Sequence, residues 1–211
     1  MVSDSTQGRT FLVKTKTGHI SGILLSGGKN TRMGTNKAFL EIDGVRLIDR
    51  TLDLYRRFFE DIIIVTNDPL TYLEFPDVSV VTDIYKGKGP LGGIYTGLFY
   101  AKNSCAFVSA CDMPFLSDAF LTFLLDQTGR HDIVVPATKE GFQPLCAVYL
   151  RKCLPSILRL LVSDKLKISG FYRDMNVLSI EEQRIAPFNP DGRLFKNLNT
   201  PQDITEIAPT A

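Results

Sequence analysis

The sequence predicts an α/β protein, a three-layer α/β/α sandwich about a mostly parallel but mixed sheet, and three observations carry that prediction. Short apolar runs of about five residues alternate with longer amphipathic stretches, the pattern of strands buried on both faces beneath helices with one apolar side. Successive apolar runs are separated by segments long enough to hold a helix, as the crossover between parallel strands requires. Glycine and polar residues gather immediately after the apolar runs, at the strand ends where open α/β sheets place their ligands.

Taken in order, residues 1–18 are polar, rich in Ser and Thr and without periodicity, so they read as a flexible arm before a single domain spanning 19–211. HISGILLS is the first strand, IDRTLDLYRRFF the first helix, and DIIIVTN and VSVVTD two further strands. GIYTGLFYAK is a second helix and CAFVSACD a strand after it. Beyond Asp112 the rhythm predicts a helix near Asp118 to Gln127 and a strand over Asp132 to Pro136. A further strand over Pro144 to Tyr149 follows with no helix between, which makes the sheet mixed. A helix over Leu154 to Leu161, a short run near Val177 and a closing helix after Pro201 end the chain.

Composition narrows the partners. The 211 residues are 44% hydrophobic and 22% charged, values of an ordinary globular chain rather than a disordered one. A formal net charge of +1 leaves no long-range basic field for nonspecific nucleic-acid or anionic-membrane binding, so an anionic ligand must be held by local groups and is expected to be small. No apolar run approaches the roughly 20 residues of a membrane helix. Cys105, Cys111, Cys146 and Cys153 show no paired metal spacing, and the chain opens without a basic-then-apolar leader. Reduced thiols and a cytoplasmic location are expected.

The strand ends carry the chemistry. After the first strand, LLSGGKNTRMGTNK (Leu24 to Lys37) brings three glycines and the cations Lys29, Arg32 and Lys37 into one connection. Gly27 and Gly28 free the backbone to turn its N–H groups into one concavity, and the cations add charge for phosphates. Gly-Lys-Ser/Thr and GxGxxG are both missing, so this is neither a Walker loop nor a dinucleotide fingerprint. Asn67 lies just past IIIVT, as a reader of a base edge or ribose or as part of an Asn-Asp-Pro turn. Asp83 ends VVTD, either as an acceptor for the paired donors of a guanine edge or as a turn former. GKGPLGGIYTGL starts a helix with very small side chains, which predicts something large lying against it. Asp112 follows the CAFVSA strand; a carboxylate there, beside a phosphate loop, suits Mg²⁺, which takes one or two carboxylates plus phosphate oxygens. Cys111 next to it has no histidine linked to it in sequence and reads as structural. Asn197 and Asn199 lie two apart on an expected strand, hence on one face, as a polar wall or as turn formers. Gln143, Lys165 and Lys167 are candidates for a second, anionic substrate, although solvated surface is the default reading of the two lysines.

LLSGGKNTRMGTNK, GPLGGI, CDMPF and NLNTPQD occur in the order seen in the molybdenum cofactor guanylyltransferases, and the chain resembles that family from about Ile20 to Ile207. The resemblance implies a Rossmann-like fold of the nucleotide-diphospho-sugar transferase type. The implied reaction is transfer of GMP from GTP to molybdopterin, with release of pyrophosphate. It also implies that Leu25, Ser26, Gly27, Lys37, Asn67 and Asp83 contact GTP and that Asp112 contacts GTP and Mg²⁺. Arg32 and Lys37 would steady the triphosphate. Leu25-Ser26-Gly27-Gly28 follows the guanylyl branch, where cytidylyl relatives have Ala at Gly27, and Gly89-Pro90-Leu91-Gly92 matches the guanylyl pattern as well. Only Thr35 and Asn36 separate Gly34 from Lys37, one residue fewer than in some members, which bears on the reach of Lys37. GTP and molybdopterin are the implied partners, with transient contacts to other cofactor-biosynthesis or acceptor proteins. The alternatives are another nucleotidyltransferase (molybdopterin cytidylyl-, cobinamide-phosphate guanylyl- or sugar-phosphate type) or a silent nucleotide-binding regulator.

Overall fold

The protein was analysed as a computed structural model that describes residues 19–27, 36–198 and 203. Strand β1 (Ile20–Leu25) is followed by a 3-10 turn at Lys37–Phe39, a hairpin of β2 (Glu41–Ile42) and β3 (Val45–Arg46), and helix α1 (Leu47–Phe58). Next come β4 (Ile62–Thr66), a 3-10 turn at Pro69–Tyr72, β5 (Ser79–Thr82), α2 (Gly89–Tyr100) and β6 (Cys105–Ala110). The order continues with α3 (Asp118–Leu125), β7 (Ile133–Thr138), β8 (Gly141–Phe142) and β9 (Cys146–Leu150). It closes with α4 (Leu154–Val162), β10 (Val177–Glu181) and α5 (Glu182–Ile185).

The main sheet runs β10-β7-β9-β6-β1-β4-β5, with β8 beside β7. The β1 pairings with β4 and β6 are parallel, as are β4 with β5 and β7 with β10. Strand β9 runs antiparallel to both β6 and β7, which makes the sheet mixed as expected. Alternation along each strand divides the core in two. Leu24, Ile64, Phe107 and Val134 face α1, α3 and α5. Ile23, Ile63, Val108 and Ile133 face α2 and α4. The chain leaves β1 on the α1 side toward β4 and β5, then returns through α2 on the other face to β6. The carboxyl ends of β1 and β6 therefore flank a reversal of strand order, where a crevice opens.

Three features escaped the sequence reading: the β2–β3 hairpin, strand β8 and the one-turn helix α5. The β2–β3 hairpin turns on Asp43-Gly44, both with positive φ (52° and 73°), the conformation that an Asp-Gly pair supplies; that dipeptide was the available signal. Strand β8 is too short to show a period. Three expectations are corrected. The β9 strand begins at Cys146, so Pro144 and Leu145 belong to the loop before it. Residues 196–198 are irregular rather than a strand, so Asn197 is not placed by strand alternation. The small residues of α2 are filled mostly by the protein itself: a Cβ at Gly97 would collide with Ile23, and one at Gly93 would stand 3.1 Å from Leu25. The 1–18 arm lies outside the described residues, as does the closing helix after Pro201 apart from the helical Asp203.

Candidate active site

A cavity of about 570 Å³ runs across the ends of five neighbouring strands. Leu145, before β9, forms one end; next come Ala110, Cys111 and Asp112 after β6, Leu25 and Gly27 at β1, Val65 to Asn67 at β4, and Asp83 after β5. The first turn of α2 (Gly89, Pro90, Gly93) covers one side, with Lys37 and Asn197 completing the wall. Gly87 and Gly89 hold φ of +77° and +63°, which bends the chain from β5 into α2 without a Cβ penalty. The helix thereby presents the positive end of its dipole to the crevice.

The β1 rim is fixed by backbone bonds that extend the sheet past Leu25. Ser26 N–H donates to Val65 O (2.9 Å) and Cys111 N–H donates to Leu25 O (3.1 Å). Ser26 itself is buried and does not line the cavity; its hydroxyl meets the Tyr72 hydroxyl at 2.5 Å. Where the described chain resumes, Asn36 Oδ1 accepts the Ala38 N–H (3.1 Å) and caps the turn that begins with Lys37. That turn brings Lys37 to the cavity, so the short interval after Gly34 does not keep it from the site. Gly28, Arg32 and Asn199 lie outside the described residues.

Two carboxylates stand in this wall in different states. Asp83 is buried; its Oδ1 accepts the Tyr85 N–H (3.0 Å) and the Thr96 hydroxyl (2.9 Å). It rests on α2 at Gly92, where a Cβ would come 3.2 Å from the carboxylate and 2.9 Å from Tyr85 O. Gly92 thus acts through Asp83 and does not itself line the cavity. Asp112 has a buried Oδ1 with no hydrogen-bond partner. Burial raises its pKa, and the positive charge of Lys37 opposes that rise. Its backbone carbonyl accepts the Leu198 N–H (2.9 Å), which fastens the segment bearing Asn197 beside it.

An unpaired buried carboxylate oxygen beside the Asn197 amide offers oxygen ligands that fit a hard cation, while the Lys37 ammonium, which has no lone pair, suits a phosphate oxygen instead. Among the described residues no group of three or more His, Cys, Asp or Glu side chains could enclose a metal. A cation here would draw the rest of its shell from water and phosphate, the habit of Mg²⁺. Burial pushes the Cys111 thiol up to about 11, away from the thiolate a nucleophile needs, and all four cysteines are buried and free.

The remaining candidates are peripheral. Asn67 is exposed and lines the cavity mouth. Gln143 is held in the β7–β9 connection, its Nε2 donating to Thr138 Oγ1 (3.3 Å), and is not in the wall; its neighbour Leu145 is. Lys165 and Lys167 are exposed. They follow Asp164, which pairs with Lys88 at 2.8 Å and so places them toward the α2 rim rather than inside the cavity. The sequence reading missed Tyr72, Thr96 and Leu145. No local pattern marks them, because each acts only once strands far apart in sequence are adjacent.

A family model described as a MobA-like NTP transferase domain matches residues 22–176. A molybdenum cofactor guanylyltransferase of Desulfosudis oleivorans is 41% identical over 187 residues, covering 88% of this chain and 92% of the relative. A probable molybdenum cofactor guanylyltransferase of Peptoclostridium acidaminophilum is 34% identical over 195 residues, covering 89% of this chain and 88% of that one. Among solved structures, the molybdopterin-guanine dinucleotide biosynthesis protein A of Archaeoglobus fulgidus superposes with a TM-score of 0.75 at 24% identity (89% and 96% coverage). The 4-diphosphocytidyl-2C-methyl-D-erythritol synthase of Anaerococcus prevotii does so with 0.66 at 16% identity (90% and 94%). At such identities these two speak for the fold alone, an α/β sandwich. The family match and the relatives speak for lineage: the chain belongs to the MobA-like NTP transferase family.

Proposed function

We propose that this protein is a molybdenum cofactor guanylyltransferase, which transfers GMP from GTP to molybdopterin to form molybdopterin guanine dinucleotide and pyrophosphate. The observation that carries the reading is the pairing of two carboxylates at opposite parts of one cavity, Asp83 already bonded and Asp112 with an open oxygen. They stand after β5 and β6, three strand spacings apart, or roughly 14 Å. That span suits a purine nucleotide lying along the sheet edge, with its base at Asp83 and its phosphates toward Asp112.

In this reading Asp83 accepts from the guanine edge through the carboxylate face left by Thr96 and Tyr85, and Asn67 borders the ribose. Lys37 and Arg32, with the backbone of Gly27 and Gly28, hold the triphosphate. Asp112, beside Asn197, would hold Mg²⁺, which when bound neutralises charge on the phosphate oxygens. A terminal phosphate oxygen of molybdopterin forms a bond to the α-phosphorus as the bond to the bridging oxygen of the β-phosphate breaks; pyrophosphate departs with that electron pair. A phosphate monoester is already a nucleophile near neutral pH, so the protein's part is alignment and charge stabilisation, with no general base. The acceptor enters from the Leu145 and Asn197 side, with Gln143 and Asn199 as its outer contacts there and Lys165 and Lys167 available to an anionic group that reaches the α2 rim.

The test is pyrophosphate release with GTP, Mg²⁺ and molybdopterin, omitting each in turn. Release that requires all three supports the reading. Preference for CTP or UTP over GTP rejects the guanine assignment, and GTP binding without release in the presence of molybdopterin rejects the enzyme in favour of a silent binder.

A further inference from the structure

The glycine- and cation-rich loop leaves the sheet at Ser26 and rejoins the described structure at Asn36. Both residues bond to the same atom. Tyr72 Oη lies 2.5 Å from Ser26 Oγ and accepts from Asn36 Nδ2 at 3.0 Å. Tyr72 belongs to neither the loop nor β1; it ends the 3-10 turn that follows β4. Its ring is fully buried and packs on Phe39 with centroids 5.5 Å apart, inside the turn that starts with Lys37. Asn36 spends its other side-chain atom on the Ala38 N–H, so the residue that reaches Tyr72 is also the one that caps the Lys37 turn.

We propose that the Tyr72 hydroxyl is a clasp that holds the two feet of the nucleotide loop together and so positions Gly27 and Lys37 for the triphosphate. Tyr72 is a positioning residue in this scheme: it does not line the cavity and acts through Ser26 and Asn36. Chemistry favours a hydroxyl here. An Asn36 amide that donates to Oη polarises it, and a chain of amide, phenol and serine hydroxyl is stronger than its separate bonds in a dry site. Packing alone would be served equally well by phenylalanine, which fills the same space and has no Oη. The proposal rests on the nucleotidyltransferase reading of the same cavity.

Tyr72→Phe isolates the clasp, because the ring and its burial remain. Wild type and variant are titrated with GTP and, in parallel, with CTP, without acceptor, and KM for GTP and for molybdopterin is then measured on each. The expected result is GTP affinity weakened on the order of tenfold, as for loss of a buried hydrogen bond, with the molybdopterin KM within about twofold of wild type on that same scale. Ser26→Ala is expected to weaken GTP binding similarly, and the double variant no further, since both cut one linkage. Unchanged GTP affinity in Tyr72→Phe overturns the clasp and leaves the guanylyltransferase reading standing. Wild type that binds neither nucleotide overturns that reading and the clasp with it. If Tyr72→Phe fails to fold, Ser26→Ala alone decides: unchanged nucleotide affinity overturns the clasp.

Discussion

Asp83 and Asp112 occupy equivalent places, each just beyond a strand of the same sheet, yet they are built differently. Asp83 has its hydrogen bonds in place before any ligand arrives: Thr96 and the Tyr85 backbone fix one oxygen, and the glycine face of α2 gives it room. Asp112 is left with a buried oxygen that nothing in the described protein satisfies. A recognition group gains selectivity from being fixed beforehand, because a ligand with the wrong donor pattern then leaves buried polar atoms unpaired. A group that must take up a cation and a charged phosphate gains from being unfinished, since the ligand supplies the missing partner. On the proposed function, the difference between the two carboxylates is a difference between reading and reacting.

The strongest way to break that contrast is Asp112→Ala. Initial rates of pyrophosphate release at saturating GTP and molybdopterin are expected to fall by about 10²- to 10³-fold, the scale of losing one preorganised electrostatic group. A near-wild-type rate would put Asp112 on the same footing as Asp83. Asp83→Ala should instead leave turnover measurable and erode the preference for GTP over CTP by roughly 10- to 100-fold in kcat/KM; unchanged preference with reduced turnover would reverse the roles. Thr96→Val sharpens the comparison, because Asp83 stays and its support goes. GTP affinity should fall several-fold, and stability in urea by about 1–3 kcal/mol, since Asp83 Oδ1 and the Ile84 N–H both lose the Thr96 hydroxyl.

The smallest effect is a matter of pH. Burial holds the Asp112 pKa above the ordinary carboxylate value despite Lys37. A group raised in the folded state contributes its full stability below the unfolded pKa and loses it as pH rises through the folded one. The ligand-free protein therefore carries a cost at neutral pH for keeping Asp112 ionised. Asp112→Asn should raise the melting temperature of the ligand-free protein slightly at pH 7, and that gain should disappear on acidification into the usual carboxylate range. A lower melting temperature at pH 7 would show that Asp112 is already compensated.

What could be read from the sequence was whatever has a local cause. Alternating apolar runs exposed the layers, and Asp83 and Asp112 were visible because each directly follows such a run. Lys37 was visible from the loop composition. Thr96 looked like any polar residue inside an apolar helix, and Tyr72 like an aromatic in a turn, because their partners lie 13 and 46 positions away. Asn197 was found for a reason the fold does not uphold: a backbone bond from Leu198 to Asp112, rather than strand periodicity, brings it to the cavity. The glycines of α2 misled in the opposite direction, since their neighbour is mainly β1.

The reversal of β9 has a consequence for how such a protein can change. Strands β1, β4, β5 and β6 bring their carboxyl ends to the cavity, and from each the chain departs through a crossover whose right-handed path constrains its length. Strand β9 alone brings its beginning, and the chain arrives there from the short β8 strand through the loop at 143–145. Insertions at that approach lengthen a surface connection without moving a crossover, and loop length costs little in closure entropy. One side of the cavity is thus open to rewriting while the other stays fixed, so on the proposed function a new acceptor can be acquired by grafting rather than by rebuilding.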